Sequence, residues 1–262
     1  PTHIWLPQAH VEAPVAGSVL LAGILLKLGG YGFLKFSCVL FPLGFKNIQH
    51  ILIILSIVAI IYGNMITIRQ TDLKRLIAYS SIGHMGLVTL GIFSGNLMGW
   101  VSAIILMLGH GFISSALFIL VTIIYNRFHS RCIKFYKGII ISMPLLSSIC
   151  LMLILGNVAF PGSLNFWGEF FSFKAVLEIK IKIINMLLIL LSILFCSVYS
   201  FGIFNRIFFG NVGQYLRNIR DINRIEINSL IYLTIIPWVM GIFGFNFIQN
   251  IYISNIVLLI QT

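Results

Sequence analysis

Charge is what this chain has least of. Asp, Glu, Lys and Arg make up 9% of its 262 residues, against roughly 25% in a soluble domain, and only six of them are acidic. With 59% hydrophobic residues and a mean hydropathy of +1.05, that scarcity excludes an aqueous globule and places the chain in lipid, its core made by helix packing on helix. Strict period-2 alternation is absent, which argues against a β-barrel. Cysteine is sparse too. Cys38, Cys132, Cys150 and Cys196 are scattered with no C-x-x-C pair, so neither a disulfide framework nor a metal centre is implied. Three of them read as small apolar residues inside helices and Cys132 as a loop thiol. Nucleotide-loop, hydrolase-triad and haem-attachment motifs are missing. Leu28-Gly29-Gly30-Tyr31-Gly32 is no phosphate cradle, because it lies inside an apolar helix with no strand before it. A basic leader is also missing. Pro1-Thr2-His3 runs straight into Ile4-Trp5-Leu6, which reads as a start in mid-protein, either cut or encoded in pieces.

What is present is a series of apolar runs long enough to cross a bilayer, each about 20 residues. They fall at 14–42, 48–68, 74–94, 99–126, 138–160 with 163–178, 183–206 and 226–250. The fifth is a pair divided at Phe160-Pro161-Gly162-Ser163. Its second piece is too short and polar to span alone, so the pair reads as one helix broken by Pro161 and Gly162, as at many transporter ion sites. The dozen residues before Pro14 read as the tail of another broken helix. The expected fold is therefore all-α: a polytopic membrane helix bundle of about seven spanning helices plus that tail, forming a single membrane domain over 1–262.

Counting the broken pair as one crossing sorts the basic residues by side. Arg69, Lys74, Arg75, Arg127, Arg131, Lys134, Lys137, Arg206, Arg217, Arg220 and Arg224 fall on one face, face A. Lys46, Lys180 and Lys182 fall on the other, face B, with Lys35 and Lys174 close enough to snorkel there. Face A is then the matrix or cytoplasmic side. This topology signal accounts for the net charge of +11 better than nucleic acid does as a partner, since no basic face or binding motif accompanies it. The polar stretch 210–227 reads as a loop with room for a short surface helix.

Against this background four ionisable residues stand out: Lys27, His84, His110 and Glu169 sit near the middle of apolar segments, where a charge is costly and needs a partner or a task. Lys27 lies roughly 20 Å along a helix starting at Pro14, too deep to snorkel. His84 lies roughly 15 Å past Lys74. Each histidine reads either as a structural residue bonded to a neighbouring helix or as a proton carrier, with a reference pKa near neutrality. Metal binding is disfavoured, since no H-E-x-x-H spacing appears. Glu169, just after the break, is either half of a structural ion pair or a terminal proton station. Thr71 or Asp72 is placed to cap the next helix, with Lys74 and Arg75 anchoring it at face A. His10 and Glu12 lie near a helix end at face A, where Glu12 either shapes a water path or forms an interfacial ion pair.

Trp5-Leu6-Pro7-Gln8-Ala9-His10-Val11-Glu12-Ala13-Pro14, Leu25-Leu26-Lys27-Leu28-Gly29-Gly30-Tyr31-Gly32 and Gln70-Thr71-Asp72-Leu73-Lys74-Arg75-Leu76-Ile77-Ala78-Tyr79-Ser80-Ser81, followed by His84-Met85, His110-Gly111 and Gly168-Glu169, together resemble the chain 4 family of NADH:ubiquinone oxidoreductase, an antiporter-like membrane subunit of respiratory complex I. The resemblance spans nearly the whole chain but only the C-terminal part of the family pattern, from the second half of helix seven (7b) to helix fourteen. It implies a midplane proton path in which Lys27 matches the central lysine of helix eight, His84 and His110 the relay histidines of helices ten and eleven, and Glu169 the terminal acid of broken helix twelve. The family's glutamate of helix five and lysine of helix seven have no counterpart here.

The resemblance further implies the mitochondrial inner membrane, other complex I membrane-arm subunits as partners, and a separate chain supplying the N-terminal half. It implies no cofactor in this chain, with NADH, FMN, iron–sulfur clusters and ubiquinone handled by other subunits. On that reading Lys27 passes a proton toward His84 and His110, and Glu169 forms the outer station. Two alternatives stay open: a cation/proton antiporter subunit, and a non-pumping subunit whose buried polar groups only hold helices together.

Overall fold

The computed structural model describes residues 2–178, 183–211 and 220–261. Lys180, Lys182, Arg217 and the centre of the 210–227 loop lie outside the described residues. Among the described residues nine helices form the scaffold: α1 (Trp5–Glu12), α2 (Val15–Leu40), α3 (Pro42–Arg69), α4 (Leu73–Phe93), α5 (Leu97–Phe128), α6 (Pro144–Asn157), α7 (Leu164–Glu178), α8 (Ile183–Phe208) and α9 (Arg224–Gln261). Six of them have spans long and apolar enough to cross a membrane, and α6 is a shorter apolar helix followed, after a break, by α7. No strand occurs among the described residues.

Boundaries differ from the sequence reading where proline intervenes. Residues 138–160 do not form one run. Pro144 opens α6 and holds Met143 out of helical geometry, at φ −134°, ψ 72°, leaving Ile139–Ser142 as a separate turn. Pro42 likewise opens α3 several residues early, immediately after α2. The break between α6 and α7 falls at 158–163, and it uses a residue that composition did not flag: Ala159 has φ 58°, beside Gly162 at φ 97°. Asn165 donates to the Gly156 carbonyl across the break at 3.1 Å, joining the Ala159 N–H at 3.3 Å, so this carbonyl at the end of α6 is satisfied from both sides of the break.

α4 and α5 are the enclosed pair, 78% and 72% buried over their most apolar spans, whereas α2 is only 17% buried. Apart from Val101 and Ile105, which pack with Leu164, their buried apolar residues fall into two clusters. One gathers Leu76, Ile77, Phe118, Ile124, Met143 and Phe208 toward face A. The other gathers Ile57, Ile60, Leu87, Val88, Ile92 and Leu106 toward face B. Between them α4 contributes Ser80, Ser81 and His84, and α5 contributes His110 and Ser114, all buried. The polar residues thus form a layer at mid-height between the two apolar clusters. Close backbone approach supports it: a Cβ at Gly63 of α3 would stand 3.0 Å from the Gly83 nitrogen of α4, so the small residues let these helices touch just before His84.

At face A, Arg127 closes the bundle. Its guanidinium grips Glu226 of α9 through two bonds, 2.7 and 3.3 Å, and donates to the Arg220, Asp221 and Ile123 carbonyls at 3.1–3.2 Å. Lys cannot reproduce that planar fork. Arg127→Met should destabilise the docking of α9 by about 2–3 kcal/mol, less than a fully buried pair because Glu226 keeps some solvent contact. A thermal-denaturation series in detergent that left the midpoint unmoved would remove this clamp from the account.

Candidate functional site

Lys27 is carried by α2, a helix interrupted by two π turns, Leu21–Leu25 and Phe33–Ser37. A π turn disturbs the ordinary i→i+4 ladder, and Lys27 Nζ donates to the Ala22 carbonyl within the first one. Gly111 of α5 faces this segment. A Cβ there would lie 3.2 Å from the Gly23 carbonyl oxygen and 3.6 Å from Lys27 Cε. The bare backbone of α5 thus lets α2 lie against it with Lys27 beside the residue that follows His110. Lys27 also lines a groove of about 1030 Å³ along α2, with Gly23, Gly111 and Ser115.

His110 is 1% exposed, and neither ring nitrogen has a hydrogen-bond partner among the described residues. It lies within electrostatic range of Lys27, His84 and His10. The His84 and His110 rings are 5.1 Å apart, tilted 32°. His84 Nδ1 is 3.5 Å from Glu169 Oε1. Glu169 is held by α7, which Gly168 seats tightly: a Cβ at that position would meet the Leu106 nitrogen of α5 at 3.0 Å. The sequence named four residues on four helices, and the structure gathers them in the order Lys27, His110, His84, Glu169. In that order His110 stands on the Lys27 side and His84 on the Glu169 side. Chain order and spatial order differ here because α5 packs against both α2 and α4.

Several residues near this row depart from their sequence reading. Lys74 is no surface anchor. It is 5% exposed and donates to the Ala13 carbonyl at 3.2 Å, where the chain between α1 and α2 leaves the C-terminal end of α1 in need of a donor. His10 is fully buried and stacked on Phe118, ring centroids 4.6 Å apart, in electrostatic range of both Lys74 and Lys27. Asp72 occupies the N-cap position of α4 but makes no side-chain cap bond. Its carboxylate turns to Arg75 at 3.5 Å and accepts from Cys132 Sγ at 3.6 Å, so capping is not its role. Glu12 is exposed. Cys196 is not a bland apolar residue. Its Sγ lies 3.8 Å from His84 Nε2 and 3.1 Å from the Tyr199 hydroxyl. Among the described residues no group of three His, Cys, Asp or Glu side chains converges as a metal would require.

Fold and site together define a polytopic helical membrane protein with a row of titratable side chains at mid-height, His110, His84 and Glu169 buried and Lys27 half-buried. A family model described as NADH:quinone oxidoreductase/Mrp antiporter, TM, matches residues 1–224, and the chain belongs to that family. NADH-ubiquinone oxidoreductase chain 4 of Metridium senile is 52% identical over 242 residues, 92% of this chain and 49% of that one. NADH-quinone oxidoreductase subunit M of Rhodobacter capsulatus is 41% identical over 244 residues, 93% of this chain and 47% of that one. Among solved structures, respiratory complex I from Thermus thermophilus with bound NADH contains a chain that superposes with TM-score 0.89 at 29% identity, covering 96% of this chain and 53% of that one. The Mrp complex from Dietzia sp. DQ12-45-1b superposes with TM-score 0.86 at 15% identity, covering 95% of this chain and 54% of that one, a likeness of fold. The chain spans about half the length of the relatives it matches.

Proposed function

We propose that this chain, as a single membrane domain matching helices 7b to 14 of the family pattern, relays protons along the midplane of an NADH:ubiquinone oxidoreductase. It works with a second chain supplying the N-terminal half and with other membrane-arm subunits, in the mitochondrial inner membrane. The observation that carries the reading is the contact of His110 with His84 and of His84 with Glu169, with Lys27 beside Gly111 at one end, four titratable groups on four helices. A pair would suffice for glue between helices; a row with alternative proton holders suits conduction. The chain itself needs no redox group for this task. NADH oxidation and quinone reduction belong to partner subunits, and their free energy acts by changing which state of the row is favoured.

His110 is the link to cut. Its ring nitrogens make no hydrogen bond among the described residues, so His110→Phe keeps a ring while removing the proton carrier. The variant complex should assemble and oxidise NADH, yet lose proton translocation through this subunit. Unchanged proton yield per electron in vesicles would refute the relay. The antiporter alternative draws on the family model, which covers both kinds of assembly. Purification without a quinone-reducing complex would favour it.

A further inference from the structure

His84 has two ring nitrogens, and Nδ1 faces Glu169. The other side opens onto a second set of groups. Cys196 Sγ lies 3.8 Å from His84 Nε2, the Tyr199 hydroxyl 3.1 Å from Cys196, and Asn157 Nδ2 donates to Tyr199 at 3.3 Å and to Ser200 at 3.4 Å. Asn157 is 4% exposed, and its Oδ1 has no hydrogen-bond partner among the described residues. A buried amide oxygen left so calls for an explanation, and ordered water is a common one. Asn157 also lines a cavity of about 50 Å³, room for a short file of waters at roughly 10–15 Å³ each. Its wall is almost wholly apolar, with Ser80, Asn157, Tyr199 and Ser200 among the lining residues. It continues between apolar side chains to Leu73 and Phe208, the residues at which α4 begins and α8 ends. From Ser80 to Leu73 is seven residues, about 10 Å of helix, and there the face A loops begin.

We propose that this cavity is a proton branch between face A and His84, passing Tyr199 and Cys196, with its apolar throat as a gate that conducts when wetted. The inference rests on the relay reading above and adds to it an access route that joins the row at His84. A proton reaching the Tyr199 oxygen releases that hydroxyl's own proton to Cys196 Sγ, whose S–H proton passes to His84 Nε2. Tyrosine and cysteine end as they began, and the imidazole gains the proton. Rotation of the two hydroxyl and thiol hydrogens resets the chain, and no electrons move. Apolar constrictions that open by wetting are an established gating principle in membrane pores.

The test is hydrogen–deuterium exchange of the Cys196 thiol, read by infrared difference spectroscopy on membranes carrying the assembled complex. Cys196→Ala supplies the subtraction that isolates this S–H band from the other cysteines. Ile77 lines the throat. Ile77→Phe should slow exchange by about tenfold or more and Ile77→Ser should speed it, since protection from solvent exchange reports opening. Tyr199→Phe, which removes one oxygen, should slow it as well, whereas Cys196→Ser should preserve proton delivery that Cys196→Ala loses. Equal exchange rates in native and Ile77→Phe membranes, whether both fast or both slow, overturn the branch. The readout does not depend on pumping. If thiol exchange responds to Ile77 while His110→Phe leaves translocation intact, the relay reading fails and the hydrated branch stands.

Discussion

Replacing Glu169 by glutamine should slow proton transfer through this subunit by roughly 10²-fold or more, the scale of losing a positioned acid–base group. Glutamine keeps the length and planarity of the side chain, so the seat on α7 made by Gly168 against Leu106 is undisturbed. What disappears is the ability to take and release a proton beside His84. Aspartate separates two roles. It retains the acid but draws it back by one methylene from a contact already at 3.5 Å, so Glu169→Asp should keep partial transfer. The structural alternative predicts something else. Removing one member of a buried ion pair costs about 3–5 kcal/mol, which would appear as poor assembly of both variants. Proton uptake by vesicles during NADH oxidation, normalised to assembled complex, distinguishes them. Full translocation by the assembled Gln variant would end the case for Glu169 as a station.

Lys27 carries the second large effect. Lys27→Met removes the amine while filling much of the same space, and it deprives the Ala22 carbonyl of its donor. The structural cost of that lost bond is about 0.5–1.5 kcal/mol, within what a bundle of this size tolerates. The effect on translocation should again be roughly 10²-fold or more. Arginine is the informative partner. It restores the positive charge but does not release its proton, so Lys27→Arg should assemble like the native chain and still fail to conduct. Conduction by the Arg variant would mean that Lys27 serves only as a fixed charge, and the row would then begin at His110.

Much of this site was legible because hydrocarbon makes charge conspicuous. Lys27, His84, His110 and Glu169 stand in runs of Leu, Ile and Phe, and depth followed from counting residues to the nearest break. The helix pair around Pro161-Gly162 was legible for a similar reason, since backbone punctuation is local. Ala159 was not, because its left-handed conformation is imposed by how α6 and α7 must meet. Lys74 misled because a lysine near a helix start reads as a surface anchor until a neighbour presents a bare carbonyl, here that of Ala13. Cys196, Tyr199 and Asn157 were invisible for the opposite reason: each is an ordinary core residue by type. Only the crossing of α4, α6 and α8 brings them to His84. Asp72 shows the limit of capping rules, since the position was right and the hydrogen bond went elsewhere.

His84 stands between two neighbours at opposite ends of its ring, with the carboxylate facing Nδ1 and the thiol facing Nε2. An imidazole holding a single hydrogen donates in one direction and offers a lone pair in the other; holding two, it donates both ways. Occupancy of the ring therefore acts like the points on a railway line. The loaded form addresses both tracks, whereas the unloaded form must choose one by its tautomer, and traffic can change direction without any helix moving.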